Sequence, residues 1–232
     1  MVSDMVSEAD IPAAVKSPSQ KRGIAITIGV ILVFISLVMV GFINKITTPR
    51  ILSPLELRAN GTFVFDKPRI IKDFNLLDHK GEVFNLQQLQ AKWSLMFFGF
   101  ASCPDICPTT MAQLKQVKDQ LDQDIRDQVQ VIMVSVDPAR DTVDKLALYM
   151  PYFDPEFIGL TGEFLEIKRL ANQLNMAFVK VRTGDDPMDY SVDHSGNIAL
   201  VNPRGHYHGF IKAPLDNGRI KLTLQSLVTT FE

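Results

Sequence analysis

The chain has only two cysteines, Cys103 and Cys107, and only four histidines among its 232 residues. Two thiols are too few for a disulfide scaffold and leave room for one redox pair or one metal site. Charge of one sign is also lacking. Lys and Arg number 24 against 26 Asp and Glu, a formal net charge of -2, and no long run of like charge occurs. Bulk electrostatics therefore gives no case for a nucleic-acid partner. No internal repeat is present, and no Pro-x-x-x-Thr-x-x-Cys arrangement precedes Cys103, which argues against peroxidase chemistry. What remains is ordinary globular material, 46% apolar and 22% charged, long enough for one sizeable domain plus extras.

The hydrophobicity is unevenly spread. "IAITIGVILVFISLVMVGFI", residues 24–43, carries no charge. As a helix it spans about 30 Å, the thickness of a bilayer hydrocarbon core. A buried core helix would rarely avoid polar residues on every side for so long. A cleavable signal peptide has a shorter apolar region, about 7–15 residues, and ends at a small-residue cleavage site. Here the run passes into "NKITTPR". The expectation is a retained single-pass anchor, with residues 1–23 as a short cytoplasmic tail, disordered over its first 20 residues, and 44–60 as a linker. Lys16, Lys21 and Arg22 before the span balance Lys45, Arg50 and Arg58 after it, and only the close Lys21-Arg22 pair favours a cytoplasmic N-terminus. Asp4, Glu8 and Asp10 are unlike an acid-poor mitochondrial transit peptide. A bacterial inner membrane, with the C-terminal domain in the periplasm, is the localisation these features favour.

Residues 61–232 read as alternating α and β. "NLLDHKGEVFNL" predicts two short strands around the turn at Asp78-His79-Lys80-Gly81. "WSLMFFGF" (93–100) and "VQVIMVSV" (129–136) are nearly continuous apolar runs, the pattern of strands covered on both faces. Met111, Leu114, Val117 and Leu121 form a helical stripe after the cysteines. "DTVDKLALYMPYF" starts a helix with Asp141 or Thr142 as N-cap. "EFLEIKRLANQL" is an amphipathic helix and "FVKV" a strand. "DYSVDHSGNIALVNPRGHYHGF" reads as two or three strands, and a helix closes the chain. This order predicts an α/β, thioredoxin-like mixed sheet with helices on both faces and an added N-terminal β-hairpin.

The two thiols fall between a buried strand and a helix, at the carboxyl end of a central strand, where ligands bind in open α/β sheets. A helix N-terminus there would favour the thiolate. Three residues separate the cysteines, one more than in the common redox motif. A disulfide is still feasible, since Cα atoms at i and i+4 in a helical turn lie about 6 Å apart. The same loop lets both sulfurs converge on one ion, with a further ligand from elsewhere. Sulfur plus imidazole suits copper or zinc, but structural zinc wants four closed ligands and there is no third cysteine.

For the imidazole, His79 reads as a solvated turn residue, and His206 and His208 would share one face of a strand and offer a pair. His194 lies at a strand tip beside Ser195-Gly196, and a thioredoxin-like sheet brings that late hairpin beside the cysteine loop. Asp137 ends a central strand at the same edge. It either orients a ligand, tunes a thiol or contacts a partner, or begins a turn fixed by Pro138, while Asp141 serves as a helix cap.

Taken together, "CPDICPTT", "SVDPARDT", "FDPEFIGLTG" and "YSVDHSG" resemble the SCO/SenC family of membrane-anchored copper chaperones for cytochrome c oxidase assembly. The resemblance runs from Asp73 to Val201. Ala101-Ser102 stand where many members have a threonine and a bulkier residue, and Val143 replaces a frequent proline; neither removes a ligand. The resemblance implies copper, Cu(I) or Cu(II), on Cys103, Cys107 and His194. It also implies delivery to the binuclear copper site of cytochrome c oxidase, or preparation of its thiols, with the oxidase copper-site subunit as partner. Other periplasmic copper or thiol-redox proteins are further partners to expect. The rival function is a thiol–disulfide oxidoreductase, with one cysteine attacking and the other resolving, acting on periplasmic or oxidase cysteines.

Overall fold

A computed structural model describes residues 18–47, 50–186 and 189–231. The chain divides into two units, residues 1–49 and 50–232. In the first, α1 (Pro18–Thr47) runs six residues further N-terminal and four further C-terminal than the apolar run expected at 24–43. Pro18 takes the first helical position, where its missing N–H costs nothing. The segment from Arg22 to Lys45 is long and apolar enough to cross a membrane, and none of it is buried inside the protein. Residues 1–17 of the expected tail lie outside the described residues.

The second unit begins with α2 (Pro54–Ala59), β1 (Thr62–Ile70) and the hairpin β2 (Leu76–Asp78) and β3 (Val83–Phe84). Then follow β4 (Trp93–Gly99), α3 (Ile106–Asp119), α4 (Gln123–Arg126), β5 (Val129–Ser135), α5 (Val143–Phe153) and β6 (Ile158–Thr161). The chain continues through α6 (Phe164–Gln173), β7 (Phe178–Arg182), β8 (Tyr190–His194), β9 (Ile198–Val201), β10 (His206–Ile211) and α7 (Asn217–Thr230). Eight strands form one sheet in the order β1-β10-β9-β4-β5-β6-β2-β3. The centre, β4-β5-β6, is parallel, and β9 runs antiparallel to β4. This is the thioredoxin-like mixed sheet, with the hairpin extension at one edge beside β6.

Every residue of β4 and all but one of β5 are buried, as continuous apolar runs require. Met96, Phe97, Phe98, Ile132, Met133 and Val134 have no exposed surface at all. Burial of each such side chain contributes about 1.5–3 kcal/mol. That rigid centre is the platform from which the cysteine loop, residues 100–105, emerges.

The structure differs from the sequence reading in three places that affect the site's surroundings. First, the stretch expected as a linker is already part of the domain from Leu52, whose amide donates to Ser226 Oγ at 2.8 Å and whose side chain is buried. Pro54 is the first residue of α2, and Ser53 with Glu56 forms a capping box. Second, β1 was not foreseen. Asp66-Lys67-Pro68 interrupts its alternation, and the ladder with β10 absorbs these residues as a bulge between Val64 and Arg69. Third, β7 and β8 stand apart as a separate two-stranded ribbon, with Phe178 opposite His194.

Candidate metal centre

β4 ends at Gly99 and α3 starts at Ile106, so the loop carries Cys103 and the second residue of the helix is Cys107. Cys107 is fully buried and Cys103 half-buried, and both are free thiols. The amide of Phe100 donates to Cys107 Sγ at 3.5 Å, and the amide of Cys107 donates to Cys103 Sγ at 3.4 Å. Backbone N–H groups thus point at both sulfurs, the arrangement that helix start and preceding turn produce.

Charge does not follow the helix-terminus expectation at Cys107. Burial pushes its thiol well above the usual range, and the Cys103 sulfur and the Asp141 carboxylate push the same way. Only the Phe100 amide pulls it down. Desolvation therefore outweighs the one hydrogen bond that favours the thiolate. A thiol in this position stays protonated until a cation arrives to replace the proton.

His194 comes from β8, 87 residues further on, and meets the cysteines at close range. Its Nε2 lies 3.4 Å from Cys107 Sγ. Nδ1 faces the Ser195 carbonyl at 3.2 Å. A carbonyl only accepts, so Nδ1 carries the proton and Nε2 turns its lone pair to the sulfur. The rings of Phe97 and Phe100 stand edge-on to the imidazole with centroids at 5.6 and 5.9 Å. Burial holds the His194 pKa below its ordinary value, partly offset by the Ser195 carbonyl, so the ring is neutral and available as a ligand near neutral pH.

The donor atoms of Cys103, Cys107 and His194 all lie within 4.8 Å of one another, the one such cluster of three among the described residues. A cavity of about 450 Å³ opens beside it, lined by Phe100, Cys103, Pro104, Ile106, Val181 and His194, among others. Two soft sulfurs and one imidazole, half-open on one side, form a donor set that fits copper and leaves room for ligand exchange.

The other sequence candidates go elsewhere. His79, expected in solvent, is buried, and its Nδ1 accepts the Gly159 amide at 3.3 Å; the hairpin tip folds down against β6. His208 packs edge-on to Trp93 at 4.9 Å, with Asn202 Nδ2 3.3 Å from its Nδ1, and neither it nor His206 joins a metal-type cluster. The capping role expected of Asp141 belongs to Thr142, whose Oγ1 accepts the Lys145 amide. Asp141 instead turns inward and is fully buried. Its Oδ2 accepts the Ala101 amide at 2.9 Å and the Ser135 hydroxyl at 2.8 Å, while Lys145 pairs with Oδ1 at 3.2 Å. It is the brace between β5 and the cysteine loop. Asp137 takes the turn role expected of it, its carbonyl accepting the Arg140 and Asp141 amides, and its buried carboxylate, in a contact not foreseen, accepts the Tyr190 hydroxyl at 2.7 Å and pairs with Arg140.

Sequence reasoning passed over Gly99, Arg140 and Tyr190. At Gly99 a Cβ would sit 3.0 Å from Cys107 Sγ and 2.5 Å from Phe97 Cε1, so the strand end has room only for hydrogen. Tyr190 stands four residues before His194 in "YSVDH", the signal that could have flagged it.

Comparison with known proteins agrees with this geometry. A protein of Stutzerimonas stutzeri named as a candidate copper-binding protein is 42% identical over 149 residues, covering 64% of this chain and 72% of its own. The copper-bound structure of Arabidopsis thaliana ScoI is 31% identical with a TM-score of 0.62, over 70% of this chain and 99% of that one. Copper-bound yeast Sco1 is 30% identical with a TM-score of 0.65, over 71% and 91%. The SCO1/SenC family model matches residues 65–229, most of the second unit and all of the cysteine–histidine cluster, and the chain belongs to that family.

Proposed function

We propose that this protein binds copper through Cys103, Cys107 and His194 and hands it to the binuclear copper site of cytochrome c oxidase. The observation that carries the reading is the convergence of two sulfurs and one imidazole within 4.8 Å at the end of β4. Copper-bound relatives and a family described as cytochrome c oxidase assembly proteins support it. Two thiolates suit Cu(I), and the imidazole extends the site to Cu(II). Copper is cargo here, and the half-open cavity beside Cys103 gives an acceptor's ligands a way in.

In this reading residues 24–43 are a retained anchor in a bacterial inner membrane, with the tail 1–23 in the cytoplasm and the domain in the periplasm. The anchor keeps the copper centre in the plane of a membrane-bound oxidase. The test is copper stoichiometry and the absorption spectrum of the reduced full chain in detergent. One copper per chain, lost in Cys103→Ser and Cys107→Ser and lost or strongly weakened in His194→Ala, is the expected result. Equal affinity in the cysteine variants would remove the proposal.

One observation favours a second reading, thiol–disulfide exchange with oxidase or other periplasmic cysteines. Cys103 lines the cavity while Cys107 is buried behind it, the placement of an attacking and a resolving thiol. That chemistry does not need His194. Thiol exchange persisting in His194→Ala, with negligible copper binding by the unaltered chain, would favour it over copper delivery.

A further inference from the structure

The ribbon that delivers His194 has little to hold it. β7 is exposed along all but its first residue, and on β8 only Tyr190 and Val192 are buried. A lone two-stranded ribbon is marginally stable in water. Val192 enters the core and Phe178 packs edge-on to Phe164, but the ribbon's polar docking is concentrated at Tyr190. The hydroxyl donates to Asp137 Oδ1 at 2.7 Å, and the carbonyl accepts Arg140 Nη1 at 3.1 Å. The Arg140 guanidinium lies 3.9 Å from the ring centroid and the Lys180 ammonium 4.1 Å. Asp137 is buried two residues past the end of β5, a strand of the rigid centre, and it ion-pairs with Arg140 and, at 3.8 Å, with Lys180. The same Arg140 guanidinium lies 5.8 Å from the Phe100 ring, which itself borders His194.

We propose that Tyr190 is the positioning residue for His194: clasped by Asp137, Arg140 and Lys180, it locks the β7–β8 ribbon to the end of β5 and so holds the imidazole against Cys107. The proposal rests on the copper-centre reading above. On one strand at about 3.3 Å per residue, Tyr190 and His194 are some 13 Å apart. Tyr190 therefore does not touch the metal; it sets the fraction of molecules in which the third ligand is in place. Affinity falls in proportion to that fraction.

The test uses the full chain, with Tyr190→Phe, which keeps the ring between its cations and removes the hydroxyl, and Tyr190→Leu, which removes both. Amide hydrogen exchange of the copper-free protein should speed up across β7 and β8 in Tyr190→Leu, while β4 and β5 stay protected. Copper affinity should fall at least about tenfold, the worth of a hydrogen bond to a charged group, with Tyr190→Phe between the two. The sulfur-to-copper absorption band should shift toward that of His194→Ala. In a His194→Ala background, Tyr190→Leu should cost copper affinity nothing further. Unchanged ribbon exchange in Tyr190→Leu, or the same affinity loss with His194 already gone, would overturn the proposal. A wild-type chain that binds no copper would overturn the copper-centre reading. Faster ribbon exchange with an altered His194 ring signal in copper-free Tyr190→Leu would in that case still support the positioning role.

Discussion

Replacing Gly99 by alanine probes the closest contact in the site. The added Cβ would meet Phe97 Cε1 at 2.5 Å and Cys107 Sγ at 3.0 Å, both in fully buried side chains. Neither can retreat cheaply: Phe97 packs edge-on to His194, and Cys107 Sγ already lies 3.4 Å from His194 Nε2. Overpacking of this kind costs about 2 kcal/mol. For a domain of this size that lowers the thermal midpoint by about 4–8 °C. Gly159→Ala is the matched control. Its Cβ would approach Met150 Cγ at 2.6 Å and Leu146 Cβ at 3.4 Å, a clash borne by α5 and not by a copper donor. Thermal denaturation and copper titration of both variants form the assay. Both should lose stability, and only Gly99→Ala should also lose copper affinity. Equal affinity losses in the two, or wild-type midpoint and affinity in Gly99→Ala, would refute the reasoning.

Other outcomes follow from the same contacts. Asp141→Ala leaves the Ala101 amide and the Ser135 hydroxyl without their buried acceptor, at about 1–3 kcal/mol each; a lowered thermal midpoint and faster exchange at the Ala101 amide would register it. His79→Ala should leave copper stoichiometry unchanged but destabilise the chain by about 1–3 kcal/mol, because the Gly159 amide loses its acceptor. An unchanged midpoint in urea unfolding would contradict that. Burial holds His79, His194 and His208 below the ordinary value of 6.5, so below that pH the unfolded chain binds more protons than the folded one. The stability of the copper-free chain should therefore be complete above about pH 6.5 and decline as pH falls toward 5. That window lies above the range in which the depressed carboxyls of Glu56 and Glu156 would add their own loss. A flat thermal midpoint from pH 7.5 to 5 would rule the histidine contribution out.

Local features were legible wherever the pattern needed only neighbouring residues. The apolar runs of β4 and β5, the stripe of α3, the β2–β3 turn and the strand-to-helix placement of the cysteines each follow from a few consecutive side chains. β1 escaped because a Pro and two charges break its alternation, and the bulge that accommodates them exists only against β10. α2 escaped because Pro54 reads equally as a breaker or as a first helical residue, and Ser53 with Glu56 decides it.

The amino-acid sequence by itself determined that one site was available. Two thiols in one loop, after one buried strand, could meet an ion nowhere else, and the four motifs they share with a known family pointed to His194 as the third ligand. Only the tertiary structure decided how that ligand is held. Cys107 and His194 are 87 residues apart, and Asp137 and Tyr190 are 53 apart. Contacts at such separations leave no period in the sequence, because they depend on how a ribbon outside the main sheet docks against it. Burial was decided the same way: it turned His79 and Asp141 from expected surface and capping residues into interior acceptors, and it pushed the Cys107 thiol above its usual range. Desolvation is a property of the whole fold, so no local pattern announces it.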